Sequence, residues 1–168
     1  MAEQYSHSAC PGIQNLKYHD DMNTQMEILL VEDNLNDAEM TIRAIKKRKV
    51  SNTIIHLTDG AMALEFLFAT GQYAGRDTSI KPKVILLDIK MPKVDGIEVL
   101  ERLKAEDSTK SIPVVMLTSS KEHPDVKRCY ELGANSYIVK PVGFENFAEA
   151  ISSLGMYWVL MNEPSQSK

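Results

Sequence analysis

The chain has 168 residues, of which 43% are apolar and 25% are charged, and this composition excludes a disordered or fibrous protein. Its length suits one domain with a short extension. The net charge of −4 disfavours unspecific attraction to nucleic acid or to anionic lipid, so we expect a protein or small-ligand partner instead. No apolar run approaches the roughly 18 residues that a membrane-spanning helix needs, and we expect no membrane span.

The cellular setting is predicted from the N-terminus and the cysteines. Residues 1–25 are mostly polar and lack the basic and apolar stretches of an export signal. Cys10 and Cys129 lie far apart in a chain that is large enough to fold without disulfides. We therefore predict a cytoplasmic protein with reduced cysteines, and a flexible extension at residues 1–25.

After the extension, short apolar runs alternate five times with longer amphipathic segments. The runs are rich in β-branched residues, and several are apolar at four successive positions, which is typical of parallel strands covered on both faces. The predicted strands are at 27–31, 53–57, 84–87, 113–117 and 136–139.

The segments between the strands carry apolar residues three or four positions apart, which predicts helices. We place these helices around 38–45, 62–67 and 97–103, with a fourth ending at Gly133 and a long fifth from Gly143 to Met161. Residues 70–83 show no period and predict a long surface loop. Five strand-helix units predict an α/β fold, a doubly wound parallel five-stranded sheet.

Polar residues follow the predicted strands at the carboxyl edge of the sheet, where ligands bind in such folds. They are Glu32, Asp33, Asp88, Thr118 and Lys140. Three carboxylates close together repel one another, so the arrangement needs a cation, and oxygen ligands favour Mg²⁺. The lysine can balance Asp88 at rest and meet the oxygens of an incoming phosphoryl group.

Four motifs at this edge resemble those of response-regulator receiver domains, the phosphorylated partners of sensor histidine kinases. The resemblance covers about 26–161 and implies the flavodoxin-like strand order 2-1-3-4-5, with a receiver domain at 26–162 and a tail at 163–168. The long 70–83 loop and the segment GMYWVLMNEP are most similar to single-domain regulators paired with cyanobacterial phytochromes. The motifs are LLVEDN at 29–34, LLDIKMPKVDG at 86–96, VVMLTSS at 114–120 and YIVKP at 137–141.

The resemblance implies a role for each residue of the metal and phosphoryl site. Asp88 accepts the phosphoryl group. Asp33, Asp88 and the backbone carbonyl of Lys90 hold Mg²⁺, and Glu32 supports the metal through water. Thr118 donates a hydrogen bond to one phosphoryl oxygen, and Lys140 neutralises another.

Two further residues have roles by resemblance. Tyr137 is a rotating switch aromatic, and Pro141 follows a cis peptide bond. Plain structural readings stay open beside these roles: Tyr137 as strand filler and Thr118 as the cap of the next helix.

The resemblance implies a single-domain regulator of a two-component phosphorelay, which receives its phosphoryl group from a phytochrome-type histidine kinase. Its output is a protein contact or transfer to a histidine phosphotransfer protein. It catalyses its own phosphorylation and dephosphorylation but is not otherwise an enzyme, because a phosphatase of this fold needs an acid where Lys90 stands. A phosphorylation-independent binding module is the alternative.

The apolar run from Met156 to Met161 leaves no polar side over nearly two helical turns. An apolar patch beyond the core favours a homodimer through the last helix. The other possibility is that residues 1–25 fold back over this patch.

Overall fold

The computed structural model describes residues 28–47, 53–119, 123–140, 149, 150 and 153. Its five strands pair in parallel in the order β2-β1-β3-β4-β5, which confirms the predicted fold. The strands are β1 Ile28–Val31, β2 Ile54–Leu57, β3 Val84–Asp88, β4 Val114–Thr118 and β5 Ser136–Val139.

The four helices of the described part follow the predicted positions. Residues 149, 150 and 153 are helical, and the rest of the predicted fifth helix, like the N-terminal extension, lies outside the described residues. The 70–83 loop contains one short 3₁₀ turn, Gly71–Tyr73. The helices are α1 Leu35–Lys47, α2 Gly60–Phe68, α3 Gly96–Ala105 and α4 His123–Glu131.

The strand ends differ from the prediction by one residue at the site. Asp88 and Thr118 are the last residues of β3 and β4, not the first residues after them. Both continue the ladder, because Asp88 pairs with Leu117 and Thr118 pairs with Val139. Their backbones are therefore held by the sheet.

Alternate residues of each strand enter two apolar clusters, one on each face of the sheet, as period two requires. On one face Ile28 and Leu30 pack with Ala38 and Ile45 of α1. On the other face Leu29 and neighbouring strand residues pack against α2, α3 and α4. The central strands are buried on both sides, so the sheet is a rigid base for the residues at its carboxyl edge.

Helices α2 and α3 both begin at an Asp-Gly pair. Asp59 and Asp95 accept hydrogen bonds from the backbone N–H groups of Met62 and Glu98, each at 2.8 Å, and so cap the helices. A Cβ on Gly96 would lie 2.0 Å from the carbonyl oxygen of Asp88. Only glycine permits this approach, which seats α3 directly against the end of β3.

Arg76 ties the 70–83 loop to the body of the domain. Its guanidinium lies 4.2 Å from the ring centroid of Phe66 and donates to the carbonyl oxygens of Phe66 and Ile80. The loop is therefore held by specific contacts. The sequence did not indicate them, because the apolar residues of the loop follow neither a helical nor a strand period.

Among the residues described, no helix has both the length and the apolar character needed to cross a membrane. The longest of them, α1, has 13 residues.

Candidate functional site

Three carboxylates meet at the carboxyl edge of the sheet. Oxygen atoms of Glu32, Asp33 and Asp88 all lie within 4.8 Å of one another. Asp33 is exposed, whereas Glu32 and Asp88 are buried, with 1% and 5% of their surface accessible. The predicted convergence of these residues is confirmed.

The turn after β1 sets the position of Glu32. Its backbone N–H donates to the carbonyl oxygen of Leu57 at 3.0 Å, and its own carbonyl oxygen lies 2.8 Å from Nε2 of His56. Its carboxylate accepts from the backbone N–H of Asn34 at 3.1 Å. Both ends of the residue are therefore fixed, and the side chain is held toward the site.

Lys140 contacts three carboxylates at this edge of the sheet, two of which belong to the cluster. Its Nζ is 2.5 Å from Oε2 of Glu32, 2.8 Å from Oδ1 of Asp88 and 3.0 Å from Oδ2 of Asp37. The predicted pairing of Lys140 with Asp88 is present. The pairing with Asp37, in the first turn of α1, was not predicted.

Burial changes the acid-base behaviour of the cluster. Burial raises the pKa of Glu32 to about 7, although the hydrogen bond from Lys140 acts in the opposite direction. Burial also raises the pKa of Asp88, again against the effect of Lys140. For Lys140 burial lowers the pKa, but its hydrogen bonds to Asp88 and the other two carboxylates are stronger in sum, and the net pKa is raised.

The arrangement fits a hard divalent cation. All three donors of the cluster are carboxylate oxygens, the ligands that such ions prefer. The raised pKa values of Glu32 and Asp88 show that one lysine does not offset the burial of the two acids. A divalent ion would supply the missing positive charge, so the acidic cluster could bind one.

The remaining predicted site residues lie around this cluster. Thr118 is 1% exposed, and its carbonyl oxygen accepts from the backbone N–H of Lys140. Lys90 follows Asp88 closely, its backbone N–H donates to that carboxylate, and its ammonium is 3.7 Å from Asp125 of α4.

Tyr137 lies in β5 opposite Met116 and packs against the α2–α4 side of the core. The peptide bond before Pro141 lies outside the described residues, so the cis bond stays a prediction.

Sequence reasoning missed a second ion pair beside the site. Nζ of Lys93 lies 3.2 Å from Oδ2 of Asp59 and links the loop after β3 to the start of α2. Lys93 also has a φ of 68°, a left-handed conformation that is uncommon for lysine. A Lys followed by Val-Asp-Gly signals only a loop, so no pattern in the sequence pointed to this pair.

A model of the response regulator receiver domain matches residues 28–152. The chain belongs to this family. It is 38% identical over 135 residues to the probable methanogenesis regulatory protein FilR2 of Methanothrix harundinacea, covering 80% of this chain and 84% of the relative. It is 36% identical over 140 residues to the response regulator Rcp1 of Synechocystis sp., covering 83% and 93%.

Solved structures of two relatives have the same fold. The Mn²⁺-bound form of Rcp1 gives a TM-score of 0.76 at 33% identity and covers 84% of this chain and 99% of its own. The phosphorylated cyanobacterial phytochrome response regulator RcpA gives 0.77 at 31% identity and covers 85% and 100%. The chain thus spans nearly the whole length of these regulators.

Proposed function

We propose that this protein is a single-domain response regulator that accepts a phosphoryl group on Asp88 in the presence of Mg²⁺. The observation that carries the proposal is the position of Asp88. Its buried carboxylate ends a central strand, 2.8 Å from Lys140 and beside Glu32 and Asp33. A nucleophile, a cationic side chain and a group of carboxylates that could hold a divalent ion therefore meet at one place.

The proposed step is an in-line displacement at phosphorus. One carboxylate oxygen of Asp88 forms a bond to the phosphorus of a phosphohistidine on the kinase. The P–N bond breaks, and the imidazole leaves with the electron pair and takes up a proton. Asp33, Asp88 and the Lys90 carbonyl would hold Mg²⁺, with Glu32 acting through water, and the ion would supply positive charge to the phosphoryl oxygens. Lys140 neutralises one of those oxygens.

The proposed donor, output, domain bounds and oligomeric state rest on similarity to the relatives and on the sequence. The likeness to the phytochrome response regulator RcpA supports a phytochrome-type histidine kinase as donor. The proposed output is a change of protein contacts or transfer of the phosphoryl group to a histidine phosphotransfer protein. The family match over 28–152 supports a receiver domain at 26–162, with 1–25 as extension and 163–168 as tail. A cytoplasmic homodimer formed through the last helix remains our prediction, and we propose no contact with nucleic acid or membrane.

Replacing Asp88 by asparagine tests the acceptor. With acetyl phosphate as donor and Mg²⁺ present, intact-mass measurement should find one phosphoryl group on the parent protein and none on Asp88→Asn. Asp107→Asn is the matched control, because Asp107 is exposed and pairs with Lys110 in the α3–β4 loop. Chelating the metal should abolish uptake. Equal uptake by Asp88→Asn, or uptake that ignores the chelator, would contradict the proposal.

Transfer of a labelled phosphoryl group from candidate kinases identifies the donor. It also tests the alternative function, a phosphorylation-independent binding module. Labelled phytochrome-type kinases should lose their label to the parent protein faster than other histidine kinases do. A chain that binds such a kinase but never takes the label would instead be a phosphorylation-independent binding module.

A further inference from the structure

Lys140 has three N–H donors, and each has a carboxylate within reach. Two of the three acceptors belong to the acidic cluster, and the third, Asp37, does not. An ammonium has no further donor to offer. A phosphoryl oxygen that binds Lys140 must therefore replace one of these three acceptors.

The three acceptors are not equivalent during the proposed reaction. Asp88 would itself be modified, and Glu32 would support a bound metal through water. Asp37 is neither the phosphoryl acceptor nor a member of the carboxylate cluster, whose oxygens lie within 4.8 Å of one another. Its bond to Lys140 is the one that can persist from the resting state to the phosphorylated state.

The backbone of Asp37 is held in place from both directions. Its N–H lies 3.3 Å from Oδ1 of Asn34, the residue before α1, and its carbonyl oxygen accepts from Oγ1 of Thr41 at 2.8 Å. Thr41 is fully buried against the core. The Asp37 carboxylate thus projects from a fixed helical turn, which suits an anchor better than a freely rotating surface acid.

We infer that Asp37 is a positioning residue for Lys140, holding the ammonium beside Asp88 while the other two acceptors are modified or drawn to the metal. The inference rests on the proposed phosphoryl transfer to Asp88. Without the anchor, Lys140 can follow Glu32 away from the phosphoryl oxygens. Phosphoryl uptake then slows even when Mg²⁺ and donor are saturating.

The test compares two substitutions of Asp37 with a control on the same helix. Asp37→Ala removes the anchor, and uptake from acetyl phosphate at saturating Mg²⁺ should fall about 5-fold, which corresponds to about 1 kcal/mol. Asp37→Asn keeps an oxygen acceptor and should recover most of the rate. Glu39→Ala removes the same charge from α1 at an exposed residue paired with Arg43, and it should leave the rate unchanged.

A double-mutant cycle shows whether Asp37 acts through Lys140. In a Lys140→Ala background, Asp37→Ala should cause no further slowing. An equal slowing in both backgrounds, or an Asn variant as slow as the Ala variant, overturns the inference while leaving phosphorylation of Asp88 intact. Failure of the parent protein to take any phosphoryl group contradicts the proposed function and removes the basis of the inference.

A resting-state measurement gives a readout that does not depend on phosphorylation. The ammonium protons of Lys140, assigned by their loss in Lys140→Ala, should exchange slowly with water in proton–nitrogen NMR spectra, because all three are hydrogen-bonded. Exchange should accelerate in Asp37→Ala and stay slow in Glu39→Ala. Unchanged exchange in Asp37→Ala would show that Asp37 does not hold the lysine.

Discussion

At the scale of single residues, burial and the charge of Lys140 have opposite effects on the pKa of Glu32. Its carboxylate contacts Lys140 at 2.5 Å, yet its pKa is raised to about 7 because burial has the larger effect. A buried ion pair is often no more stable than a neutral pair of similar shape, since removing charges from water is costly. In the metal-free protein, the acid at this position therefore reduces the stability of the fold at neutral pH.

Glu32→Gln should stabilise the metal-free protein at pH 8 and have little effect at pH 5. The pKa of Glu32 is about 7 in the folded state and 4.5 as a reference value, so the folded state binds a proton that the unfolded state has lost. Stability of the parent therefore falls as the pH rises from about 4.5 to 7. We expect the variant to gain about 2 kcal/mol at pH 8, where glutamine carries no charge to bury.

Urea unfolding at both pH values, with a chelator present, measures this difference. Glu39→Gln is the control, because it makes the same chemical change at an exposed residue of α1. An equal difference in the free energy of unfolding between variant and parent at pH 5 and pH 8 would show that ionisation of buried Glu32 is not the cause. Added Mg²⁺ should narrow the difference at pH 8, because it stabilises the parent more than the variant.

At the scale of elements, the site depends on the close contact between α3 and the end of β3. The N–H of Gly96 donates to the carbonyl oxygen of Ile89 at 2.9 Å, so the loop after Asp88 returns directly to the strand. Lys93 and Asp59 join the same loop to α2. The backbone around Lys90, the proposed source of a metal ligand, is thus held on two sides.

Gly96→Ala should move this loop and slow phosphorylation. The new Cβ would lie 2.0 Å from the Asp88 carbonyl oxygen, which is backbone and cannot rotate away. We expect a loss of about 2 kcal/mol in the free energy of unfolding, typical of overpacking, together with slower uptake from acetyl phosphate.

Chemical unfolding and intact-mass kinetics measure the two effects. Gly75→Ala is the control, because a Cβ there meets no atom within 4 Å. If Gly96→Ala unfolds like the parent and takes up the phosphoryl group at the same rate, the loop does not depend on this contact.

At the scale of the whole molecule, we predict that a signal passes from the site to the surface near α4 and β5. Thr118 and Tyr137 lie on neighbouring strands, and Tyr137 is opposite Met116, two residues before Thr118. Paired positions of parallel strands share a face, so the two side chains are on the same side of the sheet. A hydroxyl drawn toward a phosphoryl group would leave space that the tyrosine ring can fill.

Thr118→Ala should permit phosphorylation but uncouple it from association. In the parent, phosphorylation should change dimer or partner affinity by about 1–3 kcal/mol, a usual range for coupled sites. Light scattering with and without acetyl phosphate and Mg²⁺ measures this change, and Thr118→Ser, which keeps the hydroxyl, should retain it. An equal shift in Thr118→Ala would mean that the signal leaves through the loop after Asp88.

Much of the fold and the main site residues could be predicted from the sequence. Five apolar runs separated by helical periods predict a parallel sheet, because strands that are apolar on both sides need helices on both faces of the sheet. The carboxyl ends of its strands must then share an edge, which brings Glu32, Asp33, Asp88, Thr118 and Lys140 together.

The sequence predicted the pairing of Lys140 with Asp88, but only the tertiary structure showed two further contacts, Lys140 with Asp37 and Lys93 with Asp59. Lys140 and Asp37 are 103 residues apart, and Lys93 and Asp59 are 34 apart. The spacing of apolar residues indicates which face of a helix or strand a residue occupies, and the sheet topology indicates which strand ends lie together. Neither specifies which of the nearby acids the three N–H donors of Lys140 will bind. Those acids are Glu32, Asp33, Asp37 and Asp88. That choice depends on the burial of Glu32 and Asp88 and on the fixed first turn of α1, which exist only once the chain is folded.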